Sequence, residues 1–252
     1  MTAPVIDKTG QDAPVPKQGD LRIKIFADGA DLDSIQDIYQ RKIVSGFTTN
    51  PTLMAKAGVI NYLAFAREVL RIVTDLPVSF EVFSDDFEGM RRQALLLNDL
   101  APNVYVKIPI TNTLRASACP LIRDLSHSGI KLNITAMMTL QQVRDVAAAL
   151  HPDSSAFISV FAGRIADSGR DPLPVMRAAL EVLRPLPKAE LLWASPREAL
   201  NIIQAAQMGC HIITVTPDLL AKTKNFGKDL DEFSLDTVKM FYNDAVKSGF
   251  SL

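Results

Sequence analysis

Eight short apolar runs alternate with longer stretches of helical spacing between residues 22 and 216. The runs are RIKIFAD (22–28), IVSGFTTNP (43–51, strand and loop), VSFEVFS (78–84), 104–108 within VYVKIPIT, IKLNIT (130–135), AFISVF (156–161), ELLWAS (190–195) and HIITVT (211–216). Helical periodicity falls at 32–42, at 53–75 with an interruption near Gly58, and at 86–99, 114–128, 139–150, 172–184 and 196–208. The segment AGRIADSGRDP (162–172) reads as a polar, glycine-containing loop. Strands joined by helical crossovers lie parallel, and parallel strands are covered on both faces, which explains their near-continuous apolar character. Eight such units in about 250 residues suit a single α/β domain, a (β/α)8 TIM barrel. A doubly wound open sheet is the other arrangement that the alternation allows.

Around this frame the sequence predicts a flexible polar arm over residues 1–20, with Pro4, Gly10, Pro16 and Gly19, and a barrel with C-terminal helices over 21–252. The tail keeps helical spacing through Leu219, Leu220, Leu230, Phe233, Val238, Met240, Phe241 and Val246. With 48% hydrophobic residues and a formal net charge of -1, the chain has a core to bury and no basic excess for nucleic acid. No run is long enough to span a membrane and no apolar signal region opens the chain, so a cytoplasmic location is expected. Cys119 and Cys210 have neither metal-ligand nor disulfide spacing and are expected to be buried thiols. His127, His151 and His211 lack ligand spacing, and the glycine fingerprint for dinucleotides is absent, so no metal and no cofactor are expected.

Chemistry in a barrel belongs at the C-terminal strand ends. There the chain places Asp28, Glu81, Lys107, Asn133 with Thr135, Ser159 and Ser195. Strand alternation puts Phe26 with Asp28, Ser79 with Glu81 and Phe83, Tyr105 with Lys107, and Ser159 with Phe161, although it does not say which face is inward. An ammonium at the end of a buried strand loses hydration, which favours the neutral amine and frees it to attack a carbonyl; the alternative is a lysine that snorkels to water. A lysine with two carboxylates supplies a nucleophile, a proton carrier and a group to orient water. Arg164 beyond one strand, and Ser195 and Arg197 before a helix, suit a phosphate.

The segment Gly46-Phe47-Thr48-Thr49-Asn50-Pro51-Thr52-Leu53-Met54 closely resembles the threonine–asparagine–proline signature of the transaldolase family. VYVKIPIT resembles the strand that carries the Schiff-base lysine of these class I aldolases. The likeness runs from Asp28 to about Thr216 with the motifs in order, and it is similar to the short transaldolase/fructose-6-phosphate aldolase branch. It implies a cofactor-free transfer of a dihydroxyacetone unit from a ketose phosphate to an aldose phosphate, as in the pentose phosphate pathway. Lys107 resembles the imine-forming lysine, Asp28 the carboxylate that takes and returns the C4 hydroxyl proton, and Glu81 with Thr135 the pair that holds the catalytic water. Asn50 and Asn133 resemble the amides that bind the hydroxyls of the three-carbon unit, with Thr48 lining the same pocket and Ser159 bonding near C1. Arg164, Ser195 and Arg197 resemble the phosphate clamp.

Within that family the aldolases that release free dihydroxyacetone have glutamine where this chain has Glu81, and tyrosine where it has Phe161. Both positions here take the transaldolase form, so transfer is favoured over aldol cleavage. The segment from Trp193 to Arg197 departs from the long transaldolases, and Trp193 either packs in the core or reshapes the acceptor pocket. A silent barrel acting as a binding protein is a third reading, against which the costly Lys107, Asp28 and Glu81 weigh. The implied partners are sugar phosphates and copies of the chain itself, as a dimer or as a ring of five or ten.

Overall fold

The structure, a computed structural model, describes residues 21–250; the expected N-terminal arm lies outside them. The strands are β1 (Lys24–Asp28), β2 (Gly46–Thr48), β3 (Val78–Glu81), β4 (Val104–Pro109), β5 (Leu132–Met137), β6 (Ala156–Val160), β7 (Ala189–Trp193) and β8 (Ile212–Val215). Each pairs in parallel with the next, and β8 closes on β1. The fold is therefore the closed (β/α)8 barrel, and the open sheet is excluded. The helices are α1 (Leu32–Gln40), α2 (Pro51–Lys56), α3 (Tyr62–Ile72), α4 (Phe87–Asn98), α5 (Cys119–His127), α6 (Leu140–Ala149), α7 (Ala162–Asp167), α8 (Leu173–Leu183), α9 (Leu200–Gln207), α10 (Pro217–Lys222) and α11 (Leu230–Ser248). Several begin on side-chain caps that satisfy backbone N–H groups: Asp31 for α1, Asn50 for α2, Asn61 for α3 and Asp86 for α4. Thr139 and Gln142 form a reciprocal capping box at α6.

The barrel, Arg22–Leu220, is one compact unit, and the chain from Ala221 onward belongs to a second. In that second unit α11 ends on Gly249 and carries exposed Leu230, Phe233, Val238 and Phe241. Among the described residues no helix is long and apolar enough to cross a membrane.

The barrel interior settles which face of each strand is inward. Phe26, Phe157, Leu192, Ala194 and Ile212 form one buried cluster, with Tyr105 and Phe161 packed against it. Phe26 meets Phe157 edge-on at 5.3 Å and Tyr105 stacks on Phe157 at 4.0 Å. One step of the pleat beyond Phe26, Tyr105, Phe157 and Ile212 come Asp28, Lys107, Ser159 and Thr214. A floor of aromatic and aliphatic rings thus carries a polar layer above it. Gly46 is what lets the floor form: it pairs with Phe26, and a Cβ there would lie 2.6 Å from the Phe26 ring.

Five expectations are corrected. Residues 162–167 are a helix, α7, rather than a loop. Gly163 there serves a close approach rather than a turn, because a Cβ would fall 1.5 Å from the Ser195 carbonyl oxygen. The helix expected at 196–208 begins only at Leu200, since the Asn201 side chain accepts from the N–H groups of Arg197 and Glu198 at 2.8 and 3.2 Å and holds them in a turn. The helix expected at 114–128 starts at Cys119, after a loop closed by the Thr111–Ser117 bridge. Strand β3 stops at Glu81, and Phe83 is 64% exposed, its N–H taken by Gln93. Cys119 is half-buried, whereas Cys210 is buried as expected and its thiol is pushed up to about 12 by that burial.

Candidate active site

The C-terminal mouth of the barrel encloses a cavity of about 470 Å³. The twelve residues singled out in the sequence all line it: Asp28, Thr48, Asn50, Glu81, Lys107, Asn133, Thr135, Ser159, Phe161, Arg164, Ser195 and Arg197. Trp193 does not. It is fully buried on the other face of β7 from Leu192 and Ala194, with its indole N–H lacking a partner among the described residues.

Lys107 is 7% exposed, and the register sets it between Glu81 and Asn133 on the neighbouring strands. Its Nζ lies 3.1 Å from Glu81 Oε2 and donates to the Thr49 carbonyl at 2.9 Å. The amine is thus fixed by two acceptors on one side, while its strand places it above the hydrophobic floor. Glu81 is anchored through its backbone, because the Tyr62 hydroxyl of α3 donates to its carbonyl at 2.7 Å. Burial pushes the Tyr62 phenol well above its ordinary value, so it remains a donor.

Asp28 ends β1 and accepts from Thr48 Oγ1 at 2.8 Å and from Asn50 Nδ2 at 3.3 Å. The other end of the Asn50 amide caps α2 by accepting from the Leu53 N–H at 2.9 Å, which fixes the amide's orientation toward the carboxylate. Burial raises the Asp28 pKa above the ordinary carboxylate range, against the pull of Lys107 and the two hydrogen bonds. Such a carboxyl exchanges its proton nearer to neutrality than a surface aspartate.

Deeper in, Ser159 donates to Asn133 Oδ1 at 2.6 Å and Asn133 Nδ2 donates to Ser79 Oγ at 3.0 Å. The Thr135 hydroxyl is buried without a partner among the described residues. Its neighbour Ala136 has a φ of 62°, where the β5–β6 register shifts, so a bulge in β5 follows Thr135 at the mouth. Ser195, at a φ of 59°, is likewise held in the left-handed region beside α7.

At the rim, Arg164 stands over the Phe161 ring at 5.4 Å and has no carboxylate partner among the described residues. Arg197 is engaged: its Nε donates to Asp167 Oδ1 at 3.1 Å, and its Nη2 pairs with Asp167 Oδ2. The two arginines therefore differ, one free to meet an anion and one tied to α7. Residues that the sequence reading passed over also line the mouth, notably Thr214 and Thr216 of the last strand and its loop. The strand alternation that selected Asp28 would have selected Thr214, two residues beyond the floor residue Ile212. Tyr62 left no such signal, because its role depends on a helix that packs over β3.

No group of three or more His, Cys, Asp or Glu among the described residues is placed to hold a metal ion. His211 has a structural role, its Nδ1 accepting from the Leu191 N–H at 2.9 Å at the opposite end of the barrel.

A parallel barrel with ionisable side chains gathered in its C-terminal mouth is the architecture of (β/α)8-barrel enzymes. Residues 25–252 match the family described as Transaldolase/Fructose-6-phosphate aldolase, and the chain belongs to that family. A probable transaldolase of Thermoanaerobacter sp. (strain X514) is 36% identical over 194 residues, covering 77% of this chain and 85% of that one. A probable transaldolase of Methanococcus maripaludis (strain C7) is 34% identical over 204 residues, 81% and 90% of the two chains. Among solved structures, 3-hexulose-6-phosphate synthase from Salmonella typhimurium aligns with a TM-score of 0.55 at 15% identity, over 82% of this chain and 97% of that one. Dihydrodipicolinate synthase from Rhodopseudomonas palustris aligns with a TM-score of 0.53 at 15% identity, over 89% and 81%. At such identities these two likenesses show the fold alone.

Proposed function

We propose that this protein is a transaldolase, transferring a dihydroxyacetone unit from fructose 6-phosphate or sedoheptulose 7-phosphate to an aldose phosphate through a Schiff base on Lys107. The observation that carries this reading is the buried Lys107 amine, 3.1 Å from Glu81 and sharing one cavity with Asp28. The amine adds to the C2 carbonyl, and loss of water gives the iminium. Glu81 and the Thr135 hydroxyl, which has no partner among the described residues, are suited to hold that water and to return it for hydrolysis. Asp28 takes the C4 hydroxyl proton as the C3–C4 bond breaks, and the bonding pair flows into the iminium to leave an enamine. The first aldose phosphate departs, C3 of the enamine attacks the acceptor aldehyde, and Asp28 returns the proton to the new alkoxide. Phe161 offers no hydroxyl to protonate the enamine, which supports transfer over release of free dihydroxyacetone.

The test is a comparison of products. With fructose 6-phosphate and erythrose 4-phosphate, sedoheptulose 7-phosphate is expected to form far faster than free dihydroxyacetone; the reverse order would make the enzyme an aldolase. A phosphate bound by Arg164 supplies binding energy remote from the reacting bond. Arg164→Ala is therefore expected to raise KM for phosphorylated substrates about 10- to 100-fold, the scale of one charge-assisted hydrogen bond. The kcat/KM for an unphosphorylated acceptor such as glyceraldehyde, which does not depend on the donor half-reaction, should barely change. Equal losses with both acceptors would remove Arg164 from phosphate binding.

A further inference from the structure

Thr214 of β8 lines the mouth yet has no part in the scheme above. It interrupts an apolar strand with a hydroxyl that is costly to bury without a partner. The partner is Thr48, whose hydroxyl oxygen lies 2.5 Å away. Thr48 in turn donates to Asp28 Oδ1 at 2.8 Å. A hydroxyl has one proton to give. Thr48 gives its proton to the carboxylate, so Thr214 is the donor in the short contact between the two threonines. The chain then runs Thr214 to Thr48 to Asp28 while Asp28 is ionised. With a proton on Oδ1 the same three groups can turn about, Asp28 donating to Thr48 and Thr48 to Thr214.

We propose that Thr214 is a positioning residue for the proton-transfer carboxylate: it ends a reversible two-hydroxyl chain that holds Thr48 in place for both protonation states of Asp28. This rests on the Schiff-base reading and extends it to a residue that touches no reacting atom. Hydrogen bonds in a chain polarise one another, so the Thr214 hydroxyl strengthens donation to a carboxylate more than to a carboxylic acid. The other groups facing Asp28 are Asn50, Lys107 of β4 and Glu81 of β3. A second cleft, also lined by Asp28, includes Asp31, Lys56 and Asp218. The Thr214 side chain bonds to Thr48 and to none of these.

The experiment compares Thr214→Val, of nearly the same shape, with Thr214→Ser, using the whole protein and fructose 6-phosphate in single turnover. Thr214→Ala replaces the valine variant if the latter does not fold. Removing the hydroxyl is expected to slow C3–C4 cleavage several-fold and to move the acidic limb of its pH profile upward by about half a pH unit. Thr214→Ser should restore both, and the rate of borohydride trapping at Lys107 should stay unchanged throughout. In an Asp28→Asn background, loss of the Thr214 hydroxyl should add nothing further. An unmoved acidic limb, a serine variant no better than valine, or a full additional loss in the Asp28→Asn background would overturn the proposal. Absence of any trapped adduct in the unaltered protein would instead overturn the Schiff-base reading itself, so the two failures are told apart.

Discussion

Lys107→Ala is expected to leave no adduct that borohydride can trap with fructose 6-phosphate, and to lower turnover by roughly 10⁴- to 10⁶-fold, the scale seen when a covalent nucleophile is deleted. In the unaltered protein, intact-mass measurement after reduction should show the added sugar phosphate, and peptide mapping should place it on Lys107. Alanine also strips Glu81 of its ion partner and leaves the Thr49 carbonyl without its donor. A loss of activity could then come from a disturbed mouth rather than a missing nucleophile. Lys107→Arg separates the two. A guanidinium keeps the positive charge beside Glu81, but it does not give up a proton to become a nucleophile. The arginine variant should therefore be folded, untrappable and inactive. If it retained more than a trace of turnover, or if label in the unaltered protein appeared on another lysine, the amine of Lys107 would have no covalent role.

Much of this arrangement is legible in the amino-acid sequence, and particular residues show why. The strand that holds Lys107 was legible because apolar neighbours on both sides leave a buried parallel strand as the natural reading, and its register partners Glu81 and Asn133 sit in similar runs. Strand alternation paired Phe26 with Asp28 and Tyr105 with Lys107, but only closure of the barrel decides that these face inward. Helix α7 is not legible in the sequence because Gly163, Gly169 and Pro172 resemble loop punctuation. Gly163 is there for contact with the Ser195 backbone, a fact about a residue far along the chain. The tie between Arg197 and Asp167 escaped for the same reason, as did Tyr62 beneath Glu81. Local pattern reports burial and period. It does not report which distant polar groups will meet, and that is what makes the two rim arginines unequal.

Asp28→Asn is expected to leave the adduct on Lys107 trappable while slowing C3–C4 cleavage by about 10²- to 10⁴-fold, the usual worth of a positioned proton carrier. The pH profile supplies the sharper test. In the proposed reaction cleavage uses the ionised form of Asp28, whose pKa burial has raised, so activity should fall as acid is added through that raised value. The asparagine variant should lack this limb altogether. Stability should respond in the opposite sense. Between the ordinary aspartate value of 3.8 and the raised native value, the folded chain keeps a proton that the unfolded chain has already lost. Stability due to this group is therefore lost as pH rises through that window, because ionisation is harder in the buried site than in the unfolded chain. An amide carries no charge to bury. It can turn its oxygen toward Asn50 and its NH2 toward Thr48, which then passes its own proton to Thr214. The variant should thus melt at a higher temperature than the unaltered protein near neutral pH, with the gap closing toward about pH 4. A variant that was slower but no more stable at neutral pH would mean that Asp28 is not strained by burial. One that kept both full cleavage and the acidic limb would take the proton transfer away from Asp28.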